Sequence, residues 1–280
     1  MFSIGLDSET ESQHMYYWLM KEKTNWERQG FSVGNLKKSG DRIEWEFNGT
    51  EDQWKESVVP FLASILCDYM IKNKEQQWVK QYVEQMYYEG DEARAISEVA
   101  YSLLEGVRKE IPETALLQTR KHFIYRELVD EMNEKCTIQW GPLLTFRFGA
   151  YHRLLLKAAA AAVDEYKWEQ EYQTMIESCR YYLKKAPPSY GAIHVLAAEK
   201  PVFLDESLQL IDQWTRLRHL EPTIVFEKSL PFENMVVSPA VSMAPQKIHL
   251  YAKDDNSTVQ TFEMIFQEKL IKHPVEAWPR

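Results

Sequence analysis

The sequence predicts an α+β protein that is predominantly helical, with an irregular helical bundle in the middle and small α/β segments at both ends. Three observations carry this expectation. Strand-like alternation is confined to residues 1–50 and to the stretch after residue 189. Between them, apolar residues recur at helical spacing almost without interruption. At the centre of that helical zone, Ala158 to Ala162 are five consecutive alanines within FRFGAYHRLLLKAAAAAVDEYKWEQEYQTMIESCRYYL, Phe146 to Leu183. A turn that carries only methyl groups can be approached closely from every side, so this helix is expected to be the packing axis of a bundle.

The first segment, residues 1–50, reads as β-α-β-β. Phe2, Ile4 and Leu6 alternate as in a short strand. Asp7 and Ser8 then supply capping side chains, and Met15, Trp18, Leu19, Glu22 and Trp26 follow at helical spacing up to Gly30. Strands are expected at Phe31–Leu36 and Arg42–Phe47, joined by Ser39-Gly40-Asp41. In the second of these, Ile43, Trp45 and Phe47 alternate with Arg42, Glu44 and Glu46.

Residues 51–186 are expected to be helical. The helices run over 50–74, 74–88, 91–109 and 112–135, followed by the alanine-bearing one. Gly90 with Asp91 as cap, Ile111-Pro112 and Gly141-Pro142 mark the breaks, and Pro187-Pro188 closes the zone. The third segment, residues 189–280, returns to α/β, with strands at 192–197, 202–204, 224–226 and 247–252 and a helix from Thr258 to Leu270. The two end segments are compatible with one sheet-containing unit. FSIGLDSETES and KIHLYAKDDNST both run from strand into helix, a likeness that either a duplication or ordinary strand-to-helix chemistry explains.

Composition narrows the function. A net charge of −9 argues against general affinity for phosphate backbones, while leaving room for a local basic patch. Cys67, Cys136 and Cys179 are odd in number and far apart, the usage of a reducing compartment, and no CxxC pair exists. No signal-type leader and no window of membrane-spanning hydropathy is present, so a cytoplasmic protein is expected.

No catalytic signature emerges. GxGxxG, GxxxxGK and GxSxG are all absent, and no Glu-x-x-His ladder of the di-iron type occurs. The seven histidines contain no i, i+3 or i, i+4 pair, so no metal site and no cofactor is expected. His194 and His249, on strands that could be neighbours, are the one pair able to converge. The simpler expectation is partly buried histidines bonded to backbone.

A possible ligand or partner surface lies along the long helix. Arg147, Arg153, Lys157 and Arg180 make it the most basic surface of an acidic protein. Arg153, Lys157, Ala161 and Glu165 form one i, i+4 row. Asp164 and Glu165 could be acid–base groups, although a solvated or interhelical salt-bridge face is the simpler reading. Tyr172 and Tyr181, with Trp168, Tyr182 and Tyr87-Tyr88, could stack bases or bind a partner, and helical spacing equally suits core and bundle-edge positions.

The run Val163-Asp164-Glu165-Tyr166, Glu169, Glu171-Tyr172-Gln173, Ile176 and Arg180-Tyr181-Tyr182 resembles the central block of the YtxC-like sporulation proteins of bacilli and clostridia. A second block, Asn234 to Tyr251 (NMVVSPAVSMAPQKIHLY) with the helix through Thr258 to Phe266, is also similar. Glu177, Ser178 and Cys179 depart from the mostly apolar pattern expected there, and the tail VEAWPR carries no cysteines, so a tail-borne metal site is not expected. The resemblance implies a sporulation-associated cytoplasmic protein with no catalytic residues to carry over. A non-enzymatic binding or scaffold protein, with a protein partner or self-association, is the leading expectation. A nucleotide- or nucleic-acid-responsive regulator using the basic surface of helix 146–185 is the alternative. A hydrolase or transferase around Asp164 and Glu165 is the third reading.

Overall fold

The computed structural model describes residues 1–30, 34–86, 88–106, 120–134, 136–253 and 257–279. The chain divides into two compact units, Met1–Tyr166 and Lys167–Arg280. The division falls inside the alanine-bearing helix α6 (Gly149–Lys185), and each end of the chain has its own four-stranded sheet. The α+β class and the dominance of helix are as the sequence predicts.

Unit 1 opens with β1 (Phe2–Gly5) and α1 (Glu9–Arg28). Ser8 caps α1, its Oγ accepting from the Glu11 N–H at 3.2 Å, which satisfies one of the helix's orphan donors. Met15 and Leu19 are fully buried on the inner stripe of α1. Of the expected strand Phe31–Leu36, residues 31–33 lie outside the described residues. The observed β2 is Asn35–Ser39, turning through Gly40 (φ +59°) into β3 (Arg42–Glu46). Ser39 pairs with Arg42, so the hairpin loop is Gly40-Asp41, where positive φ favours glycine.

A fourth strand that the sequence reading did not anticipate, β4 (Thr137–Gln139), runs parallel to β1. Three residues with one apolar side chain, Ile138 between Thr137 and Gln139, give no periodic signal, and only pairing with β1 defines this strand. It completes a sheet in the order β2-β3-β1-β4. Phe2, Ile4, Leu36, Ile43, Trp45 and Ile138 share its buried face. The opposite face carries Ser3, Lys37, Arg42, Glu44 and Thr137.

The helices expected at 50–74 and 74–88 form one helical run, α2 (51–85), started by a Thr50/Gln53 capping box. The expected break near Lys74 is a π-helical stretch, Met70–Glu75, and another lies at Trp54–Val58. A π turn holds an extra residue without breaking the helix, so it re-aims later side chains around the axis. α3 (Gly90–Leu104) follows, with Asp91 in its first turn and not at its cap, which is Glu89. That helix ends at Leu104, short of the expected Lys109, and the expected break at Ile111-Pro112 lies outside the described residues. After α4 (Arg120–Glu134) and β4 come α5 (Trp140–Phe146) and the start of α6.

The alanine turn is buried on one side and not all round. Tyr151, Leu155, Ala158, Ala159, Ala162 and Val163 form a single buried stripe, Ala161 is half-buried and Ala160 is exposed. The steric permission to be approached from every side is used on one face only, as in an ordinary amphipathic helix.

Unit 2 contains the end of α6, β5 (Ala192–Leu196), β6 (Val202–Asp205), α7 (Gln213–His219), α8 (Val237–Ser242), β7 (Lys247–Tyr251), α9 (Ser257–Phe266) and β8 (Leu270–His273). The strand expected at 224–226 does not form. Pro222–Ile224 is a 3-10 turn, with Glu221 accepting from the Thr223 N–H at 3.2 Å, a local bond that competes with strand pairing. The helix expected to reach Leu270 stops at Phe266, and Leu270 instead opens β8. The sheet order is β6-β5-β7-β8, with β5, β7 and β8 parallel and β6 antiparallel.

Sheet pairing also separates the two strand-to-helix segments. After FSIG and its helix the chain returns as an antiparallel hairpin, whereas after KIHLY and its helix it returns as the parallel strand β8. Ordinary strand-to-helix chemistry accounts for the likeness without a duplication.

Candidate functional site

The inner face of the unit 2 sheet carries Ile193, Val195, Phe203, Ile248 and Leu250, all fully buried against residues of α6, α8 and α9 such as Cys179, Val241 and Phe262. The alternate residues of the same strands form the outer face: His194 and Leu196 on β5, Val202 and Leu204 on β6, His249 and Tyr251 on β7, Ile271 and His273 on β8. Most of these are only half-buried, and Ile271 is exposed. Leu210, bridged to Leu204, extends the face past the β6 edge and is 67% exposed.

Parallel register makes a histidine ladder on this face. His194 is the direct partner of His249, and Tyr251 that of His273. The His194 and His249 rings stack with centroids 4.4 Å apart, and His249 and His273 with centroids 5.2 Å apart. His249 Nδ1 lies 2.9 Å from His273 Nε2, and His194 Nδ1 lies 3.1 Å from the Tyr251 hydroxyl. Tyr251 stacks on His273 at 4.7 Å and meets Trp278 edge-on at 5.0 Å.

The expectation of histidines bonded to backbone is therefore overturned for these three, because strand pairing supplies side-chain partners instead. His219 does follow it, through the Thr215 carbonyl oxygen at 2.9 Å. A hydrogen bond between two imidazoles needs one N–H and one lone pair, so the His249–His273 contact cannot join two imidazolium rings. Burial pushes the His194 imidazole below its ordinary range, helped by the charge of His273 and opposed by Asp205. Burial also lowers His249, reinforced by His194, His273 and Lys247. Both shifts favour the neutral form of His194 and His249. Stacked side by side, the rings offer neighbours and not convergent lone pairs. Among the described residues, no group of three or more His, Cys, Asp or Glu is arranged to hold a metal.

A second polar cluster lies in the core of unit 1. Glu75, at the end of the second π-helical stretch, is 1% exposed. Arg120 Nε donates to Glu75 Oε2 at 3.1 Å, and the Tyr151 hydroxyl donates to the same oxygen. Arg120 also donates to the Leu104 carbonyl and to Glu105 Oε1, the latter at 2.5 Å. Burial pushes the Glu75 carboxyl up, against the opposing pull of Arg120 and Tyr151. Ion pairs satisfied in this way hold helices in register, and no sequence motif marks this one. Near the first π-helical stretch, a cleft of about 410 Å³ is lined by Phe2, Phe47, Trp54 and Met132, with the exposed Cys136 at its edge.

The residues proposed from sequence are shared between the units. In unit 1, Arg147 Nε pairs with the buried Glu131 at 3.1 Å. Arg153, Lys157 and Asp164 are exposed, and Glu165 is half-buried. In unit 2, the Tyr172 hydroxyl bonds Thr261 Oγ1 at 3.1 Å, and Arg180 Nε donates to the Met264 carbonyl at 2.7 Å, so both tie α6 to α9. Tyr181 is 61% exposed, has Lys185 Nζ over its ring at 4.2 Å, and lines a shallow groove with Glu177, Tyr182 and Ile224. Tyr88 packs against the unit 1 core, and Tyr87 lies outside the described residues. Sequence reasoning missed Glu75, Arg120, Tyr251 and His273. The alternation of Ile271 and His273 about Lys272, after a helix, was the available sign of β8.

Among the described residues, no helix is long and apolar enough to cross a membrane. Architecture and site together define an α+β protein with a mostly helical unit that carries one four-stranded sheet and a second unit built on the other. The chain belongs to the YtxC-like family, whose model matches residues 60–271. It is 27% identical over 221 residues to an uncharacterized protein, YtxC, of Bacillus subtilis (strain 168), covering 78% of each chain. No solved structure matches it.

Proposed function

We propose that this chain is a non-enzymatic binding protein of sporulating cells that takes a protein partner on the outer face of the unit 2 sheet. The carrying observation is the composition of that face. Leu196, Val202, Leu204, Leu210 and Ile271 stand there beside three imidazoles and Lys247, and the carboxylate of these strands, Asp205, lies opposite Ile193 on the other face. Solvated sheet faces are ordinarily polar, and contiguous exposed apolar surface marks interaction sites. A partner segment that presents apolar side chains and a carboxylate fits such a face. Sporulation enters through the resemblance of the two sequence blocks.

The test is light scattering together with pulldown from sporulating cells, with the double variant Leu210→Asp/Ile271→Asp as control. A partner retained by the wild-type chain and lost from the folded variant supports the reading. An inert monomer that retains nothing overturns it.

A second reading, a regulator responsive to nucleotides or nucleic acid, draws on Arg153 and Lys157, which are exposed and form no ion pair among the described residues. Salt-sensitive binding lost in Arg153→Ala/Lys157→Ala favours it, and absence of binding at low salt removes it. Asp164 and Glu165 line neither the Trp54 cleft nor the Tyr181 groove, so an acid–base role for them gains no support.

A further inference from the structure

The strand β8 is the most lightly anchored of the unit 2 sheet. It lies at an edge, and none of its four side chains is buried, whereas β5, β6 and β7 each bury at least one. Pairing with the β7 backbone and a few side-chain contacts hold it. Lys272 Nζ meets Glu263 of α9 at 2.5 Å, between two exposed side chains. On the outer face, His273 Nε2 lies 2.9 Å from His249 Nδ1, and the His273 ring stacks on Tyr251 at 4.7 Å. Trp278, beyond β8, meets Tyr251 edge-on at 5.0 Å. Segments held by so few buried contacts open locally, at a fraction of the free energy of global unfolding.

The His249–His273 contact has a proton limit. The two rings lie within 15° of parallel, and one nitrogen must donate while the other accepts. A neutral pair, or a pair with one extra proton, makes this bond. A second extra proton removes the accepting lone pair and leaves two cations in contact. His194, stacked on His249 at 4.4 Å, is a third site of charge beside them. The surrounding groups give little relief. Lys247 on β7 repels a charged His249. Asp205 on β6 draws on His194, and its Oδ1 already accepts from the Ser207 and Gln209 N–H groups at 2.8 and 2.9 Å. Neither Tyr251 nor Trp278 supplies a counter-charge. Undocking β8 parts the two rings, so the freed strand takes up protons that the docked strand refuses.

We infer that β8 and the tail through Trp278 form an acid-released strap, docked while the His249–His273 pair holds at most one extra proton and freed from the β7 edge when it takes a second. Burial, and then His194, His273 and Lys247, hold His249 below the ordinary histidine range in the docked state. Docking is therefore strongest above a pH of about 6.5, the value the freed ring regains, and weakens as pH falls through it. Release bares the β7 edge, a row of unpaired backbone groups of the kind that accepts an added strand. The strap needs no partner on the outer face, so it stands or falls independently of that reading.

Two backbone N–H groups report on the two sides of β7. Ala252 donates to the His273 carbonyl oxygen at 3.3 Å, a bond lost when β8 leaves, and Ala197 donates to the Tyr251 carbonyl oxygen at 2.9 Å on the β5 side. The test is native-state amide exchange of the full chain by NMR at pH 7.5 and pH 5, read as protection factors. Protection of Ala252 relative to Ala197 is expected to fall by about tenfold or more on acidification, since one unit of pKa coupling is a factor of ten. In His273→Asn, which cannot take the second proton, that ratio should no longer change with pH. A merely structural contact predicts a looser β8 at both pH values with the change retained. Should His273→Asn fail to fold, the ring resonances of the wild-type chain decide, because a coupled pair titrates in two separate steps and independent rings in one. Equal loss at Ala252 and Ala197, a pH-dependent ratio that persists in the variant, or a single-step titration overturns the inference.

Discussion

The two sheets of this protein have the same number of strands and opposite outer faces. In unit 1 the outer face carries Ser3, Lys37, Arg42, Glu44 and Thr137, and Lys37 Nζ reaches Glu46 at 2.7 Å. In unit 2 it carries leucines, a valine, an isoleucine, a tyrosine and three histidines. Water is a sufficient partner for the first face and a poor one for the second. The difference teaches where to look for function, since the unit 2 face carries one charged side chain, Lys247, where the unit 1 face carries lysine, arginine and glutamate. The same contrast runs through the polar clusters. Glu75, Arg120 and Tyr151 are sealed in the helical core of unit 1, and the histidine ladder of unit 2 remains in reach of solvent.

The sharpest way to break this comparison is to unpair the sealed cluster. Arg120→Ala leaves Glu75 buried without its cation and is expected to cost about 3–5 kcal/mol of unfolding free energy, read by urea denaturation. Replacing both partners, as Glu75→Gln/Arg120→Met, should recover much of that loss. A cost under about 1 kcal/mol for the single variant would mean that the cluster is not the structural lock its burial suggests.

Next in size is the one-sidedness of the alanine turn. Ala159→Leu overpacks the buried stripe and should destabilise by about 1–3 kcal/mol, whereas Ala160→Leu, on the exposed side, should stay within about 0.5 kcal/mol. Equal effects would restore the all-round burial that composition suggested.

The ladder should make stability depend on pH in a defined direction. The folded-state pKa values of His194 and His249 lie below the ordinary value of about 6.5 that they regain on unfolding. The unfolded chain then binds protons first, so their contribution is complete above that value and declines as pH falls through it. Denaturation midpoints measured between pH 8 and pH 5 should fall on acidification, and less so in His194→Asn/His249→Asn/His273→Asn. An identical pH profile in that variant would show that the rings do not act as a titrating unit.

The smallest effect is expected on the exposed part of α6. Arg153→Ala/Lys157→Ala should change stability by less than about 0.5 kcal/mol, because neither side chain forms an ion pair among the described residues. A larger loss would indicate a structural role that the exposed positions do not show.

Much of the architecture was legible from local chemistry. Alternation of Ile43 and Trp45 with Arg42 and Glu44 defined β3 because one side meets the core and the other meets water. Ser8 as cap and Gly40 in the hairpin follow from hydrogen-bonding capacity and steric freedom near the backbone. The candidate site was legible only in part. His194 and His249 were the single pair able to meet, and they do, but His273 joins them through a strand hidden behind a helix that ends earlier than expected.

By itself, the sequence determined the α+β class, the helical middle, the order of most elements and membership of a family. These depend on periodicity, caps and breakers, which act over a few residues. The tertiary structure alone decided that Thr137–Gln139 is a strand, that Glu75 turns inward from a π-helical stretch, and that one side of the alanine turn faces solvent. It alone brought His273 to His249 and left the Arg216 guanidinium over two aromatic rings with unpaired donors. Each of these depends on a partner many residues away, and no local rule encodes which distant side chain arrives.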